Sequence, residues 1–484
     1  MPGETIPTKM LIGGREVDSA ARRDVTNPAT GEKIADVPEA SPGQVGEALA
    51  AARRAQAGWA KLAPIERAVY MRRIADLIVR ERETLARLVV AEQGKPIREA
   101  RGEADGAAGY FNFFAEYARR IEGEILPADA RDQQVLIFRV PIGVVVGIIP
   151  WNYPAALVAR KVAPAMIAGD TIVLKPHELT PLSALFLARL FQEAGVPDGV
   201  INIVTGSGPS VGEQLITADG VDLITMTGSV RTGQRIMQAA SNNLTSISLE
   251  LGGKAPFIVM PDADLDLAVR GAVASRFMNC GQTCICNERT LVHRDVYDRF
   301  LEDFIARVKE LRVGDPLRDD TDIGPKVSRD ELEKTEYMVD RAVRDGAQIV
   351  LGGKRPEPAP TKHGNWYSPT ILTKADPSTA IMNDEVFGPV VPVIPFNEFA
   401  EAVALSNQSQ YGLSAYLYTN DLKSVMRATR DIDFGEIYVN RIGPENMQGF
   451  HAGYRRSGLG GDDGVHGLEI YHKKKTVYLN FASG

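Results

Sequence analysis

Cysteine is scarce: three residues in 484, at positions 280, 284 and 286. Three thiols cannot all pair, so a disulfide framework is excluded and a reducing cytoplasm fits best. The spacing Cys-x3-Cys-x-Cys matches no zinc pattern, and His293 is the one imidazole nearby, so no metal site is expected. Long apolar runs are also missing. The longest, Val140 to Trp151, spans twelve residues broken by two prolines and two glycines, whereas a membrane helix needs about 20. The N-terminus has no basic region leading into an apolar core, so no secretory signal is expected. Positive charge is not in excess: 55 Lys and Arg stand against 62 Asp and Glu, a net charge of −7. That balance argues against general nucleic-acid or anionic-membrane binding. There is no internal repeat and no low-complexity tract.

What is present is ordinary for a globular protein, 44% apolar and 24% charged, in a chain too long for one core. Residues 1–40 read as short strands and turns. Ser41-Pro42 predicts a helix start, with Ser as cap and Pro at the first helical position. Helical periodicity runs to about Leu62, again from Pro64 to about Glu92, and over roughly Glu99 to Ile121. In the last of these Tyr110, Phe113, Phe114 and Tyr117 recur at helical spacing and read as core. Residues 126–142 look like a hairpin leaving the main body. From Gly143 the pattern becomes strand–helix alternation: strands at Gly143 to Ile149, Thr171 to Leu174, Val200 to Val204 and Leu223 to Met226, with helices at 155–168, 182–194, 209–217 and 229–240. Short apolar strands joined by helices mean a parallel sheet buried on both faces, and such sheets bind ligands at the carboxyl ends of their strands. A strand at Ala255 to Met260 and a helix opened by Asp262 and Asp264 precede the cysteines. Residues 288–480 alternate again and read as a second α/β domain. Thr476 to Leu479 is a lone strand in need of a partner.

Several segments carry candidate chemistry. The octapeptide Asn279–Cys286 holds all the thiols. A thiolate is the strongest nucleophile among ordinary side chains, so Cys284 is a candidate nucleophile; a small buried filler at a helix end is the competing reading. Gly206-Ser207-Gly208-Pro209-Ser210-Val211-Gly212 links strand to helix, one residue longer than the dinucleotide fingerprint. Thr227-Gly228-Ser229 also opens a helix, where backbone N–H groups favour phosphate; a plain turn capped by Ser229 is the alternative. Lys175 to Glu178 ends another strand on the same sheet edge, and three such loops together favour nucleotide binding. Glu250, flanked by Leu249 and Leu251, is a carboxylate whose burial raises its pKa and suits it to act as a general base, or it is satisfied by backbone donors. Asn152, between prolines, offers an amide to an oxyanion or simply forms a turn.

Together these pieces resemble the NAD(P)-dependent aldehyde dehydrogenases along essentially the whole chain. Pro150-Trp151-Asn152-Tyr153-Pro154, Leu249-Glu250-Leu251-Gly252-Gly253-Lys254, Gly281-Gln282-Thr283-Cys284 and Glu385-Val386-Phe387-Gly388-Pro389-Val390 occur in the family's order and spacing. The resemblance implies an α/β architecture with a Rossmann-like nucleotide-binding domain (1–125 and 143–252), a second α/β catalytic domain (253–440) and a small β oligomerisation arm (126–142 and 470–484). Residues 441–469 would form a substrate-tunnel loop returning to the first domain. It implies that Cys284 adds to the aldehyde, that Asn152 and the Cys284 N–H hold the oxyanion, that Glu250 activates water against a thioester, and that Lys161 relays protons. The implied cofactor set is Ile149, Trp151, Lys175, Glu178, Gly208, Gly212, Thr227, Gly228, Ser229, Leu251, Glu385 and Phe387. NAD is expected, because Glu178 bonds a 2′-hydroxyl and repels a 2′-phosphate; Lys175 leaves NADP open.

Within the family the chain is most similar to the bacterial lactaldehyde/glycolaldehyde dehydrogenases, through Asn440-Arg441, Met447 to Gly453 and Gly458 to Gly461. This implies that Arg160, Glu445 and His451 bind the polar end of a small hydroxyaldehyde, with Tyr153, Ile285 and Phe450 shaping the tunnel. Ile285 departs from a commonly polar position, and Asp462 stands where many relatives carry a glutamate, so its role stays unassigned. A structural ion cluster is the other reading of Arg160, Glu445 and His451. The reaction expected is oxidation of a 2-hydroxyaldehyde to its acid in a cytoplasmic homo-oligomer, with a tetramer favoured and a dimer the alternative. The alternatives are a broad or semialdehyde-specific enzyme, and transfer of the acyl group to coenzyme A, against which Glu250 argues.

Overall fold

The computed structural model describes residues 6–482. Its first helix begins where the sequence offers a cap. The Ser41 hydroxyl accepts from Gln44 N and the Gln44 side chain accepts from Ser41 N, a reciprocal box at the start of helix Pro42–Lys61. The predicted helix from Pro64 to Glu92 is two helices, Pro64–Arg80 and Arg82–Gln93, which meet at Glu81. Gly94, at φ +94°, ends the second in the left-handed region that glycine adopts without strain. The next helix, Ile97–Ala115, starts directly after Pro96 and carries the aromatic stripe. Phe113, Phe114 and Tyr117 pack on one another with ring centroids 5.1–6.1 Å apart. The predicted helix at 209–217 is a wide π-type turn, Gly208–Gly212, leading into Glu213–Thr217.

Two sheets organise the chain. The first has eight strands, and its parallel centre runs Ile201–Ile203, Thr171–Lys175, Val144–Ile148, Leu223–Thr227, Ser246–Glu250. Chain order reverses between Val144–Ile148 and Leu223–Thr227, the switch point at which an open parallel sheet leaves a crevice beyond its carboxyl edge. Apolar clusters cover both faces, which is why these strands lack alternation. Gly252 and Gly253 carry the chain from Glu250 into the second sheet. That sheet has seven strands in the order Gln348–Leu351, Thr370–Thr373, Val390–Phe396, Asn287–His293, Ala255–Val259, Ser414–Tyr418, Glu436–Val439, parallel except at the first pair. It too is covered on both faces. Beyond it, the short strand Gly458–Leu459 returns to the first sheet and pairs antiparallel with Leu249 and Glu250.

The lone C-terminal strand finds its partner in the hairpin. His472–Asn480 pairs antiparallel with Gln133–Pro141 over nine residues, and Glu124–Leu126 completes a three-stranded sheet. Ile125, Phe138, Tyr478 and Phe481 stay exposed there. Among the described residues no helix is long and apolar enough to cross a membrane.

Candidate active site

A cavity of about 530 Å³ opens where the two sheets face each other, and its wall contains Asn152, Glu250 and Cys284. Trp151, Thr227, Gly228, Ser229, Leu251, Glu385 and Phe387 line it from the implied cofactor set, and Tyr153, Arg160, Ile285, Glu445 and His451 from the implied substrate set. Ile149 is buried behind this wall. Lys175 and Glu178 lie apart from it, at and just past the end of strand Thr171–Lys175, with Nζ 3.6 Å from the carboxylate; a Cβ added at Gly212 would lie 3.8 Å from the Lys175 side chain. Phe450 does not line the cavity. It is 38% exposed and sits edge-on against the His466 ring. Tyr110 packs against the core as its spacing predicts and lines the cavity as well, with the Arg160 guanidinium 5.8 Å from its ring centre.

The three thiols separate by environment. Cys280 and Cys286 are buried, and burial pushes their thiols up to about 12 and about 11. Burial thus disfavours the thiolate, the reactive form, at both. Cys284 is half-buried and faces the cavity. The chain reaches it through three successive left-handed residues, Asn279, Cys280 and Gly281, at φ 50°, 56° and 71°. Two of these are not glycine, so the turn is held by its surroundings. Arg276 bonds the Gly281 carbonyl at 2.9 Å, Glu99 accepts from Asn279 N at 2.9 Å, and Gln93 donates to the Asn279 side chain at 2.9 Å.

Asn152 is anchored through its backbone. Lys95 Nζ and Asn279 Nδ2 donate to its carbonyl at 2.9 and 3.0 Å. Its side-chain Nδ2 donates to the Gln282 carbonyl at 3.1 Å, two residues before the thiol. Lys95 is buried over the Tyr153 ring at 3.6 Å and bonded to Glu103 at 2.5 Å. Glu103 in turn accepts from the free N–H groups of Ala155 and Ala156 at the start of helix Ala156–Ala168.

Glu250 ends its strand with both carboxylate oxygens buried and without a hydrogen-bond partner. Burial pushes its carboxyl up to about 8, against the pull of His451. His451 Nε2 stands 3.5 Å from Glu250, while Nδ1 faces Glu436 at 3.0 Å and Glu445 at 3.6 Å. Burial alone would lower the imidazole, but Glu445 and Glu436 outweigh it and hold His451 well above its usual range. His451, Glu436 and Glu445 bring three potential metal-ligand atoms within 4.8 Å of one another. Arg160, 2.8 Å from Glu445, already supplies a positive charge there.

Arg160 and Lys161 occupy successive positions on helix Ala156–Ala168, and their side chains go to different partners. Lys161 gives its ammonium to both oxygens of Asp462, at 2.7 and 2.9 Å. Arg160 forks onto Asp463, with Nε at 3.1 Å from one oxygen and Nη2 on the other, and also meets Glu445. Asp463 and Glu436 in this network, and the Lys95–Glu103 pair that holds the Asn152 backbone, lie outside the motifs read from the sequence. The adjacent pair Asp462-Asp463 was the one available signal; nothing local marks Glu436.

Glu385 lines the cavity and accepts from Gly253 N at 2.8 Å. Burial pushes it up to about 7. Ser229 caps helix Val230–Ala240, and Thr227 Oγ1 is buried without a partner beside it. Trp151 and Phe387 meet edge to face at 5.3 Å. An unpaired hydroxyl, a helix N-terminus and a buried carboxylate along one wall fit a polar dinucleotide.

The aldehyde dehydrogenase family profile matches residues 16–477. The chain is 46% identical over 477 residues to the 3,6-anhydro-alpha-L-galactose dehydrogenase of Streptomyces coelicolor, covering 98% of this chain and 97% of that one. It is 44% identical over 457 residues to the lactaldehyde dehydrogenase of Escherichia coli, covering 94% and 95%. A 3,6-anhydro-L-galactose dehydrogenase solved in complex with NAP superposes with a TM-score of 0.96 at 43% identity, covering 98% of this chain and 100% of that one. The E. coli lactaldehyde dehydrogenase structure superposes at 0.95 and 43%, covering 98% and 99%. The chain belongs to the aldehyde dehydrogenase family and is an enzyme that oxidises an aldehyde with NAD(P).

Proposed function

We propose that the substrate is a hydroxylated aldehyde, a small 2-hydroxyaldehyde above all, and that it is oxidised to its acid on Cys284. The observation that carries this reading is the charge around Arg160. Arg160, Lys161 and His451 face five carboxylates, Asp462, Asp463, Glu445, Glu436 and Glu250, within 2.7–3.6 Å contacts. A semialdehyde needs an unpaired cation for its distant carboxylate. Here the cations are already neutralised, and the cavity offers donors and acceptors suited to hydroxyl groups. A short substrate buries little apolar area, so such hydrogen bonds must supply the discrimination.

In this reading the Cys284 sulfur bonds the carbonyl carbon, and the Asn152 amide with the Cys284 N–H holds the oxyanion. Bound NAD(P) supplies the hydride acceptor. Cys284 then carries the acyl group as a thioester, and Glu250, once ionised, takes the proton of the water that releases the acid. Lys161 holds Asp462 behind this site. Ser229 and Thr227 would bind the pyrophosphate side of the cofactor, Glu385 a ribose, and Lys175 with Glu178 the adenine-side ribose. Glu178 favours NAD. A neutral His177, pushed down to about 4 by burial, adds no cation for a 2′-phosphate, and the ratio of kcat/KM for the two cofactors measures the preference. The exposed apolar arm fits a homo-oligomer, with a tetramer favoured, and the reduced thiol cluster fits the cytoplasm.

Reduced-cofactor formation over lactaldehyde, glycolaldehyde, glyceraldehyde, propanal and succinate semialdehyde tests the substrate. A kcat/KM advantage of about tenfold or more for hydroxyaldehydes over propanal is expected, since one hydrogen bond to a charged group contributes about 1.5–3 kcal/mol. A profile led by propanal or by the semialdehyde would end the reading.

A further inference from the structure

We propose that Glu436, which lies outside the cavity wall, is a positioning residue that orients His451 so that its Nε2–H faces Glu250. This rests on the reading of Glu250 as the water-activating base.

Glu436 opens strand Glu436–Val439 at the edge of the second sheet, next to Ser414–Tyr418. One of its oxygens, Oε2, accepts from the Ser414 and Tyr438 hydroxyls, both at 3.0 Å. The other, Oε1, is thereby fixed toward His451 Nδ1 at 3.0 Å. An imidazole nitrogen facing a carboxylate must carry the proton, because a bare lone pair there would be repelled. Across the ring Nε2 faces Glu250 at 3.5 Å, an ion-pair distance rather than a hydrogen bond, and the neighbouring Glu445 and Glu436 hold the imidazole in its charged form. His451 therefore carries a proton on both nitrogens, bonded to Glu436 through Nδ1 and turned toward Glu250 at Nε2. The ring's backbone is held as well: His451 and Asp462 exchange N–H to carbonyl bonds at 3.0 and 2.8 Å.

The consequence falls on Glu250. Neither of its oxygens has a hydrogen-bond partner, and among the described residues His451 is its ion-pair partner. A base without fixed bonds needs something to aim it at the thioester. The charged and titratable side chains facing His451 are Glu436, Glu445 and Arg160, with the Cys284 side chain and Glu250; those facing Glu250 are His451, Asp462, Lys161 and Arg160. Glu445 also reaches Nδ1, at 3.6 Å, but it is shared with Arg160 and lines the cavity where substrate binds. Glu436 has no such competing engagement with a cation, so the ring's orientation falls to it.

The test separates the two half-reactions in the NAD-loaded enzyme, using glycolaldehyde and propanal. In Glu436→Ala the rapid first turnover of reduced cofactor is expected to persist. The subsequent steady rate should fall about ten- to a hundredfold with both aldehydes, the scale of acid–base contributions, while kcat/KM for the aldehyde, which reports the steps up to the thioester, stays within about twofold, so that KM falls together with kcat. Glu436→Gln keeps an acceptor without the charge. It should retain more activity than Glu436→Ala and move the acid limb of kcat to higher pH, because a weaker imidazolium favours ionised Glu250 less. Tyr438→Phe, which leaves the carboxylate in place with one fewer donor, should show a smaller effect in the same direction and guards against a folding defect. Equal slowing of the first turnover and the steady rate, or slowing with glycolaldehyde alone, would overturn the proposal. If Glu250→Gln stalls after one turnover while Glu436→Ala matches wild type, this inference fails alone. Normal steady turnover by Glu250→Gln would end both readings.

Discussion

The two sheets meet the cavity by opposite edges. The first presents the carboxyl ends of its strands: Asn152 follows Val144–Ile148, Ser229 follows Leu223–Thr227, and Glu250 ends Ser246–Glu250. The second presents amino ends: Cys284 precedes Asn287–His293, and Glu385 and Phe387 precede Val390–Phe396, with Glu436 opening its strand just behind the wall. Carboxyl edges lead into helix N-termini with free N–H groups, so buried carboxylates settle there. Glu103 takes Ala155 N and Ala156 N, and Glu92 takes Leu182 N and Ser183 N. Amino edges follow turns with free carbonyls, and buried cations settle on those. Arg276 donates to Gly281, Asn287 and Gly388 carbonyls, Arg289 to those of Lys254, Leu405 and Ser406, and Lys326 to that of Phe387. The contrast gives a division of labour. The positive edge suits phosphates and an oxyanion, whereas the negative edge, neutralised by arginine and lysine, holds a nucleophile in a strained turn.

The sharpest way to divide the edges is at the thiol. Cys284→Ala should abolish steady-state turnover while leaving NAD affinity, read by nucleotide fluorescence, within about twofold. Activity near wild type would remove the nucleophile from the second edge altogether. Next in size, Glu250→Gln should release one equivalent of reduced cofactor per site and then stall. With Glu250 pushed up to about 8 by burial, the base is ionised only as pH rises through that value, so wild-type kcat should climb from pH 7 to 9. The mutant's residual rate should lack that climb.

Arg276→Met tests the cation rule itself. It leaves three carbonyls without their donor and Glu288 with Lys254 as its buried partner. Removing one member of a buried ionic set costs about 3–5 kcal/mol, so the urea midpoint should fall markedly. A loss below about 1 kcal/mol would mean that packing, not charge, holds the amino edge.

Much of this was legible because the reacting groups sit in short contiguous motifs beside strands whose apolar runs are themselves conspicuous. Asn152, Glu250, Cys284 and Glu385 all line the cavity as those motifs implied. What failed to show depends on long-range pairing or on side-chain direction. Arg160 and Asp463 are 303 residues apart in sequence, and no local pattern joins them. Phe450 and His451 are neighbours in an extended segment that bridges to Asp462. Successive side chains there point to opposite sides, so placing His451 in the cavity turns Phe450 out of it. Tyr110 shares a helical face with Phe113, Phe114 and Tyr117, but periodicity fixes only the face. It does not reveal where along the helix the core ends and the cavity begins.

The smallest expected effect lies on the first edge. Ser229 accepts from Thr232 N at 3.3 Å as the helix cap and shares a 2.9 Å bond with the Thr232 hydroxyl. Ser229→Ala therefore loses a cap contributing about 1 kcal/mol to stability and one bond toward the cofactor contributing about 1 kcal/mol more. KM for NAD should rise about fivefold with kcat changed less than twofold, because helix N–H groups still face the phosphates. Thr227, with its free hydroxyl alongside, is positioned to take over part of the lost bond, so Thr227→Val combined with Ser229→Ala should exceed the sum of the single effects. If kcat instead fell with KM unchanged, Ser229 would be acting on the chemistry, and the division between a binding edge and a reacting edge would not hold.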